Sequence, residues 1–353
     1  MLACMIRMQR YPHDYATLFL GVTVGLKEMY DTNEVALKEI FSEVYWTEQQ
    51  EMKECTSKNI YNWKKILTER FGNDFADYDE IFFYNISGAF SMVYKSLSTG
   101  RKRFKVHWME EGYGSYIFGD KNISMLFPMK RIIDNIYLLY TKIFFRGYHP
   151  SCITKGDAWF VKPELIVGKM HRKIEPLFTE EPTRDMKDKC LKCYSYYNCA
   201  KPISEKYIFL GESFGDAFGE ANEQYISLIN KIADHVGYDD FLYKEHPRSP
   251  IKVKDDRIHL LKDSVPWEII ELSQNLEDKV CITSLSGACI NSKYIFNSKT
   301  KVICIWPIFA NNYHGIFDED KIMEFLQEIL DNYDNFIVVN TEDELMKLLD
   351  EQL

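Results

Sequence analysis

What most constrains this chain is a repeated alternation. Short apolar or aromatic runs give way to segments whose apolar residues recur at helical spacing. Residues 2–8 read as part of an amphipathic helix. After them, residues 15–22 read as a strand, 33–41 as a helix, 41–46 as a strand and 61–71 as a helix. Residues 80–86 form an apolar strand turned by Ser87 and Gly88 into a helix over 89–97, and 103–109 is the next strand. The pattern resumes at Lys206 with strands over 207–210, 241–243, 258–261, 280–282, 302–305 and 336–339. Between them lie helices over 220–236, 266–272, 288–295 and 321–331, and a last one from Glu342. Strands separated by helices of this length predict an α/β chain with parallel sheets covered by helices on both faces.

With 353 residues there is material for two domains, each with its own core. The alternation breaks over roughly 147–205, where Pro150, Pro163, Pro176, Pro182 and Pro202 fall among mixed charges. The expected division is therefore a Rossmann-like domain over 1–150, a linker over 151–205 and a second Rossmann-like domain over 206–353.

In open α/β sheets, ligands bind outside the carboxyl ends of the strands, so the residues just past each apolar run are the first candidates for chemistry. Three such places stand out. The strand over 103–109 ends in Glu110, Glu111 and Gly112, two carboxylates ahead of a glycine turn. A carboxylate there can take a proton from a hydroxyl; the plain alternative is a solvated acidic turn. The strand over 241–243 ends in Lys244, Glu245, His246 and Pro247. An imidazolium and an ammonium suit a phosphate, while the plain alternative is a loop histidine satisfied by its neighbours. The strand over 280–282 ends in Thr283, Ser284, Leu285, Ser286 and Gly287 at the start of a helix. Hydroxyls and open N–H groups at a helix N-terminus make a phosphate site, and the same serines are ordinary helix caps.

Composition excludes some functions. A net charge of −10 argues against a protein that coats nucleic acid. A local basic group, Lys95, Arg101, Lys102, Arg103 and Lys105, reads as a solvated face, with an acidic membrane surface as its other use. No apolar run is long enough to span a bilayer, and the richest, 132–145, is cut by Asp134 and Lys142 and reads as a core helix. Nine cysteines without a secretory signal suggest reduced thiols in the cytoplasm. Cys190, Cys193 and Cys199 form a group of their own, but a structural zinc takes four ligands and the segment offers no convincing fourth. The expectation is no metal.

Two Rossmann-like halves around a linker form the outline of a GT-B glycosyltransferase, with two domains facing a central cleft. Within that outline the three strand-end stretches, Glu110-Glu111-Gly112, His246-Pro247 and Thr283-Ser284-Leu285-Ser286, resemble in kind and order the motifs of bacterial sialyltransferases of the capsule and lipooligosaccharide type. The nearest match is glycosyltransferase family 52 or the related polysialyltransferase-like proteins. The stretch from Tyr207 to Phe214 is similar to the strand and loop that open the nucleotide domain in that group. The resemblance covers most of the chain from Tyr15 on, although each motif is only two to four residues long.

The resemblance implies an inverting, metal-independent transfer from CMP-sialic acid to a glycan or glycolipid acceptor, with no further cofactor. It implies Glu110 or Glu111 as general base and His246 acting on the CMP phosphate. Thr283, Ser284 and Ser286 would bind that phosphate, with Gly112, Lys244 and Pro247 beside the substrates. Gly211 and Glu212 would border the cytidine pocket, together with the loop after Ile305. One departure is that members begin with a strand that this chain lacks ahead of its first helix, so the first sheet is expected to be one strand short. A different donor, CMP-Kdo or a UDP-sugar, and a non-catalytic nucleotide-sugar-binding protein are the competing readings. A homodimer and peripheral contact with the inner membrane face stay open.

Overall fold

Every strand pairing among the described residues is parallel, as the alternation requires. The computed structural model describes residues 1–22, 27–48, 63–83, 93–94, 96–97, 103–110, 112–117, 157–168, 170, 173–194, 202–212, 219–246, 253–261, 266–310 and 318–351. These divide into two units, Met1–Cys193 and Tyr194–Leu353.

The first unit runs α1 (Leu2–Arg10), β1 (Thr17–Val22), α2 (Lys27–Ile40), β2 (Glu43–Glu48), α3 (Trp63–Phe71), β3 (Glu80–Phe83), β4 (Lys105–Met109), α4 (Gly114–Ile117), β5 (Ala158–Val161), β6 (Lys173–Pro176) and α5 (Arg184–Lys192). β1 and β2 form a two-stranded sheet, and β3-β4-β5-β6 lie side by side in chain order. Leu67 and Phe75 are buried at the centre of an aromatic cluster with Phe19, Tyr45, Phe71 and Tyr78. Phe19 meets Phe71 edge-on at 4.9 Å between ring centroids, the arrangement aromatic quadrupoles favour.

The stretch expected as a linker is corrected here. Ala158–Val161 pairs with β4, and Lys173–Pro176 pairs with β5, so both strands complete the first sheet. The boundary between units falls at Cys193 and Tyr194, well inside the 151–205 range. The prolines misled because β6 is an edge strand, where a residue without an N–H costs no ladder bond. Pro176 stands at its last position. Of the helix expected over 89–97, residues 93–94 and 96–97 are helical and the others lie outside the described residues. The expected helix over 132–145 also lies outside them.

The second unit runs β7 (Tyr207–Leu210), α6 (Gly219–Val236), β8 (Phe241–Lys244), β9 (His259–Leu261), α7 (Trp267–Ser273), β10 (Val280–Thr283), α8 (Gly287–Phe296), β11 (Lys301–Cys304), α9 (Trp306–Phe309), α10 (Glu319–Asn332), β12 (Phe336–Val338) and α11 (Glu342–Asp350). Its sheet has the order β9-β8-β7-β10-β11-β12. The chain thus lays β8 and β9 to one side of β7 and returns to lay β10, β11 and β12 on the other, the doubly wound Rossmann order. β7, β8 and β10 are buried at every position, as central parallel strands covered on both faces must be. The helical spacing read in α6 is its core stripe: Tyr225, Leu228, Ile229, Ile232 and Val236 are all buried. No helix among the described residues is long and apolar enough to cross a membrane.

Candidate functional site

The reversal of strand order in the second unit puts a crevice between the carboxyl ends of β7 and β10. Most of the candidates of this half stand on that edge. Leu210 pairs with Lys244 across β7 and β8, and Gly211 N donates to the Lys244 carbonyl at 2.9 Å. Lys244 is buried, and His246, two residues further on, is half-buried. On the other side of β7, Thr283 closes β10 and leads into Ser284, Leu285 and Ser286, the last of which caps α8 by accepting from Ala288 N at 3.3 Å. Gly211, Glu212, Lys244, His246, Thr283, Ser284 and Ser286 therefore share one end of three adjacent strands. Pro247 lies outside the described residues.

Why glycine stands at 211 is plain from its neighbours. A Cβ there would come within 2.5 Å of the Tyr243 hydroxyl oxygen and 2.9 Å of the Lys244 carbonyl oxygen. Close approach of β7 to β8 at this point is possible only without a side chain.

Glu212 has a different part from the one the sequence suggests. Its carboxylate turns across the switch point beneath the turn that follows β10. Oε1 accepts from the Thr283 hydroxyl at 3.2 Å and from Leu285 N. Thr283 Oγ1 in turn accepts from Ser286 N at 2.9 Å. Burial pushes the Glu212 carboxyl up to about 7, while the N–H and hydroxyl donors of the turn pull the other way. So donors that would greet a phosphate are already engaged by an internal carboxyl group. The Ser284 hydroxyl, fully buried beside them, has no hydrogen-bond partner among the described residues. Across β11, Ile305 N donates to the Thr283 carbonyl at 2.8 Å and the Cys304 thiol to the Ser284 carbonyl at 2.9 Å, fixing the backbone of the turn.

In the first unit, Glu110 follows β4 at the carboxyl edge of the other sheet. It is buried, and its Oε2 accepts from the Tyr116 hydroxyl at 2.9 Å. The same tyrosine oxygen accepts from Lys162 N at 3.3 Å, which ties the carboxylate to the end of β5 as well. Gly112 takes a φ of +116°, a conformation open to glycine and strained for other residues, and this lets the chain turn into α4 directly after the strand. Glu111 lies outside the described residues. A solvated acidic turn is excluded for Glu110 by its burial.

The sequence reading passed over a second ionisable group in this unit. Glu80 on β3 binds Lys105 at 2.8 Å, His107 Nε2 at 3.1 Å and the Tyr11 hydroxyl at 3.3 Å. His107 stacks on Phe82 at 4.6 Å, and burial depresses its pKa against the pull of Glu80. These residues sit within the strands and not at their carboxyl ends, and α1 packs over them through Arg10, 4.7 Å above Phe160. They fasten the helix to the sheet. Lys105 is thereby engaged in an ion pair; of the rest of the basic group, Lys95, Arg101 and Lys102 lie outside the described residues.

Cys190 and Cys193 do have a third partner, though not the expected one. Cys4 of α1 meets both, and all three thiols are buried and free of disulfides. Hydrogen bonds from Cys190 and Cys193 hold the Cys4 thiol well below the usual range, and the same contact raises the other two. Cys199 lies outside the described residues, and among those described no group of three ligands is arranged to hold a metal ion. Alkylation of Cys4, Cys190 and Cys193 by iodoacetamide is expected to be at least ~10-fold slower in the native protein than in denaturant, because reaction requires opening of the α1–α5 contact. Peptide mass spectrometry over a time course reads this directly, and equal rates would show that the thiols are reachable without opening.

No family model and no curated protein matches the chain. Among solved structures, one similar chain is a UDP-GlcNAc 2-epimerase from Methanocaldococcus jannaschii, at 13% identity and a TM-score of 0.41, covering 96% of this chain and 92% of that one. Another is the spinosyn forosaminyltransferase SpnP, at 10% identity and a TM-score of 0.46, covering 96% of this chain and 91% of that one. At these values neither lends its chemistry to this chain.

Proposed function

We propose that the chain is a GT-B-type glycosyltransferase, and within that class an inverting, metal-independent sialyltransferase that uses CMP-sialic acid to extend a glycan of the capsule or lipooligosaccharide kind. The observation that carries this reading is the convergence at one sheet edge of Lys244 and His246 on one side of β7 and the Ser286-capped start of α8 on the other. Cationic side chains opposite a helix N-terminus suit a nucleotide phosphate.

In this reading the phosphate of the donor lies between His246 and the turn 283–286. Glu110 takes the proton of the acceptor hydroxyl as its oxygen attacks the anomeric carbon. The bond from that carbon to the phosphate oxygen breaks, CMP departs with the bonding pair, and His246 stabilises or protonates it. Glu110 is suited to this by a seat that orients it through Tyr116 while keeping it out of bulk water.

Thermal melting with CMP, UDP and GDP at matched concentrations tests the nucleotide. CMP at ~100 times its dissociation constant is expected to add about 2.7 kcal/mol to the stability of the unit that binds it, a rise of roughly 5–10 °C. The rise should vanish in His246→Ala. A larger rise with UDP would move the donor assignment to UDP-sugars. CMP binding without turnover on any glycan acceptor would favour a non-catalytic binding protein.

A further inference from the structure

We propose that Glu212 is the positioning residue of the phosphate seat at the β10–α8 junction: its carboxyl group holds the Thr283–Ser286 turn from beneath and, by its charge, sets how strongly that seat takes an anionic nucleotide. This rests on the nucleotide reading above and deepens it.

The geometry gives the first half. Helix α8 is ten residues long, and Ser286 caps it with its side chain. The turn before it is not held by its own contacts alone, because Leu285 N and the Thr283 hydroxyl both end on Glu212 Oε1. Glu212 comes from the loop after β7, so a single side chain links the two strands that flank the crevice. Removing it would leave a buried N–H and a buried hydroxyl without an acceptor, and the turn would be free to rearrange. Ser284, whose hydroxyl is buried and has no partner among the described residues, lies within that turn.

The second half follows from where the charge sits. Among the described residues, Tyr243 from β8 and Cys304 from β11 feel the charge of Glu212, and Lys244 ends β8 against Gly211. Burial keeps Tyr243 and Cys304 protonated, and the first turn of α8 carries no acidic residue. The N–H and hydroxyl dipoles of the turn favour the ionised form of Glu212. A phosphate seated on the same helix end therefore meets a negative charge when Glu212 is ionised and none when it is protonated. The carboxyl group changes state near neutrality. Binding of an anion should favour the protonated form, take up a proton, and weaken as pH rises through about 7.

The test uses the full chain, with CMP as the probe and calorimetric titration as the readout, in wild type, Glu212→Gln and Glu212→Ala. The glutamine keeps an acceptor for Leu285 N and Thr283 but carries no charge. From pH 6 to pH 8 the wild-type affinity should fall about 5-fold further than that of Glu212→Gln, the effect over that range of one unit of coupled pKa shift. This comparison cancels the titration of CMP and of His246, which both proteins share. Titrations in two buffers of different ionisation enthalpy should show proton uptake at pH 7.5 in excess of that of the glutamine variant. Glu212→Ala should stay folded by near-ultraviolet circular dichroism yet lose at least ~10-fold in affinity at both pH values. Equal pH profiles for wild type and Glu212→Gln, or full affinity in Glu212→Ala, would overturn the inference while leaving the nucleotide reading in place. Absence of CMP binding to the wild type would overturn both.

Discussion

Gly211→Ala is expected to cost about 3 kcal/mol of stability, the upper end for overpacking a well-filled interior. Two contacts make the site unforgiving. The added methyl would stand 2.5 Å from the Tyr243 oxygen, and Tyr243 is fully buried, so the ring has nowhere to swing. It would also stand 2.9 Å from the Lys244 carbonyl oxygen, which is main chain within β8 and already accepts from Gly211 N. Relief requires the ends of β7 and β8 to part, and Lys244 and Glu212 would move with them. The melting temperature of the unit Tyr194–Leu353 should drop by roughly 6–12 °C, and the CMP binding proposed for it should weaken in the protein that remains folded. A variant that melts within about 2 °C of wild type would show that the strands part at little cost.

On the proposed function, Glu110→Gln is expected to lower transfer from CMP-sialic acid by ~100- to 10,000-fold, the usual value of a general base. The substitution keeps the shape of the side chain and still offers an oxygen to Tyr116, so the fold should be preserved. Since Glu110 belongs to the first unit and the proposed nucleotide seat to the second, CMP affinity should be unchanged. The useful comparison is the turnover number against the CMP dissociation constant. A loss confined to turnover identifies a group that acts on the acceptor. Turnover within threefold of wild type would remove Glu110 from the mechanism, and parallel losses in both quantities would point to a structural part for it.

The second unit was far more legible in the sequence than the first. β7, β8 and β10 are continuous apolar runs bounded by charged, hydroxyl or glycine residues, because a central parallel strand must be buried on both faces. Their ends, and with them Lys244, Gly211 and Thr283, could be placed to within a residue. β6 carries no such signal. Its sequence is Lys-Ile-Glu-Pro, exposed at both ends, and only pairing with β5 makes it a strand. Glu212 was singled out by its place after a strand, but nothing local says that its carboxyl turns inward toward Thr283, 71 residues away in the chain. Cys4 was missed for the same reason, since its partners on α5 are brought to it by tertiary packing alone. Local spacing shows where a strand stops; it does not show which distant group will meet the residue placed there.

The strand order of the second unit also bears on the sequence of events by which the protein matures. The β7–β8–β9 half can zip up from neighbouring segments as they emerge, whereas β10 must close a long loop to find β7. Glu212 waits on one side of that closure, and its two donors lie on the other. A chain halted before the closure would have the β7–β8–β9 half of the sheet, with Glu212 still apart from Thr283 and Leu285. If the second unit seats a nucleotide as proposed, that capacity waits on this closure, and its recovery during refolding would time the β7–β10 pairing rather than the first collapse.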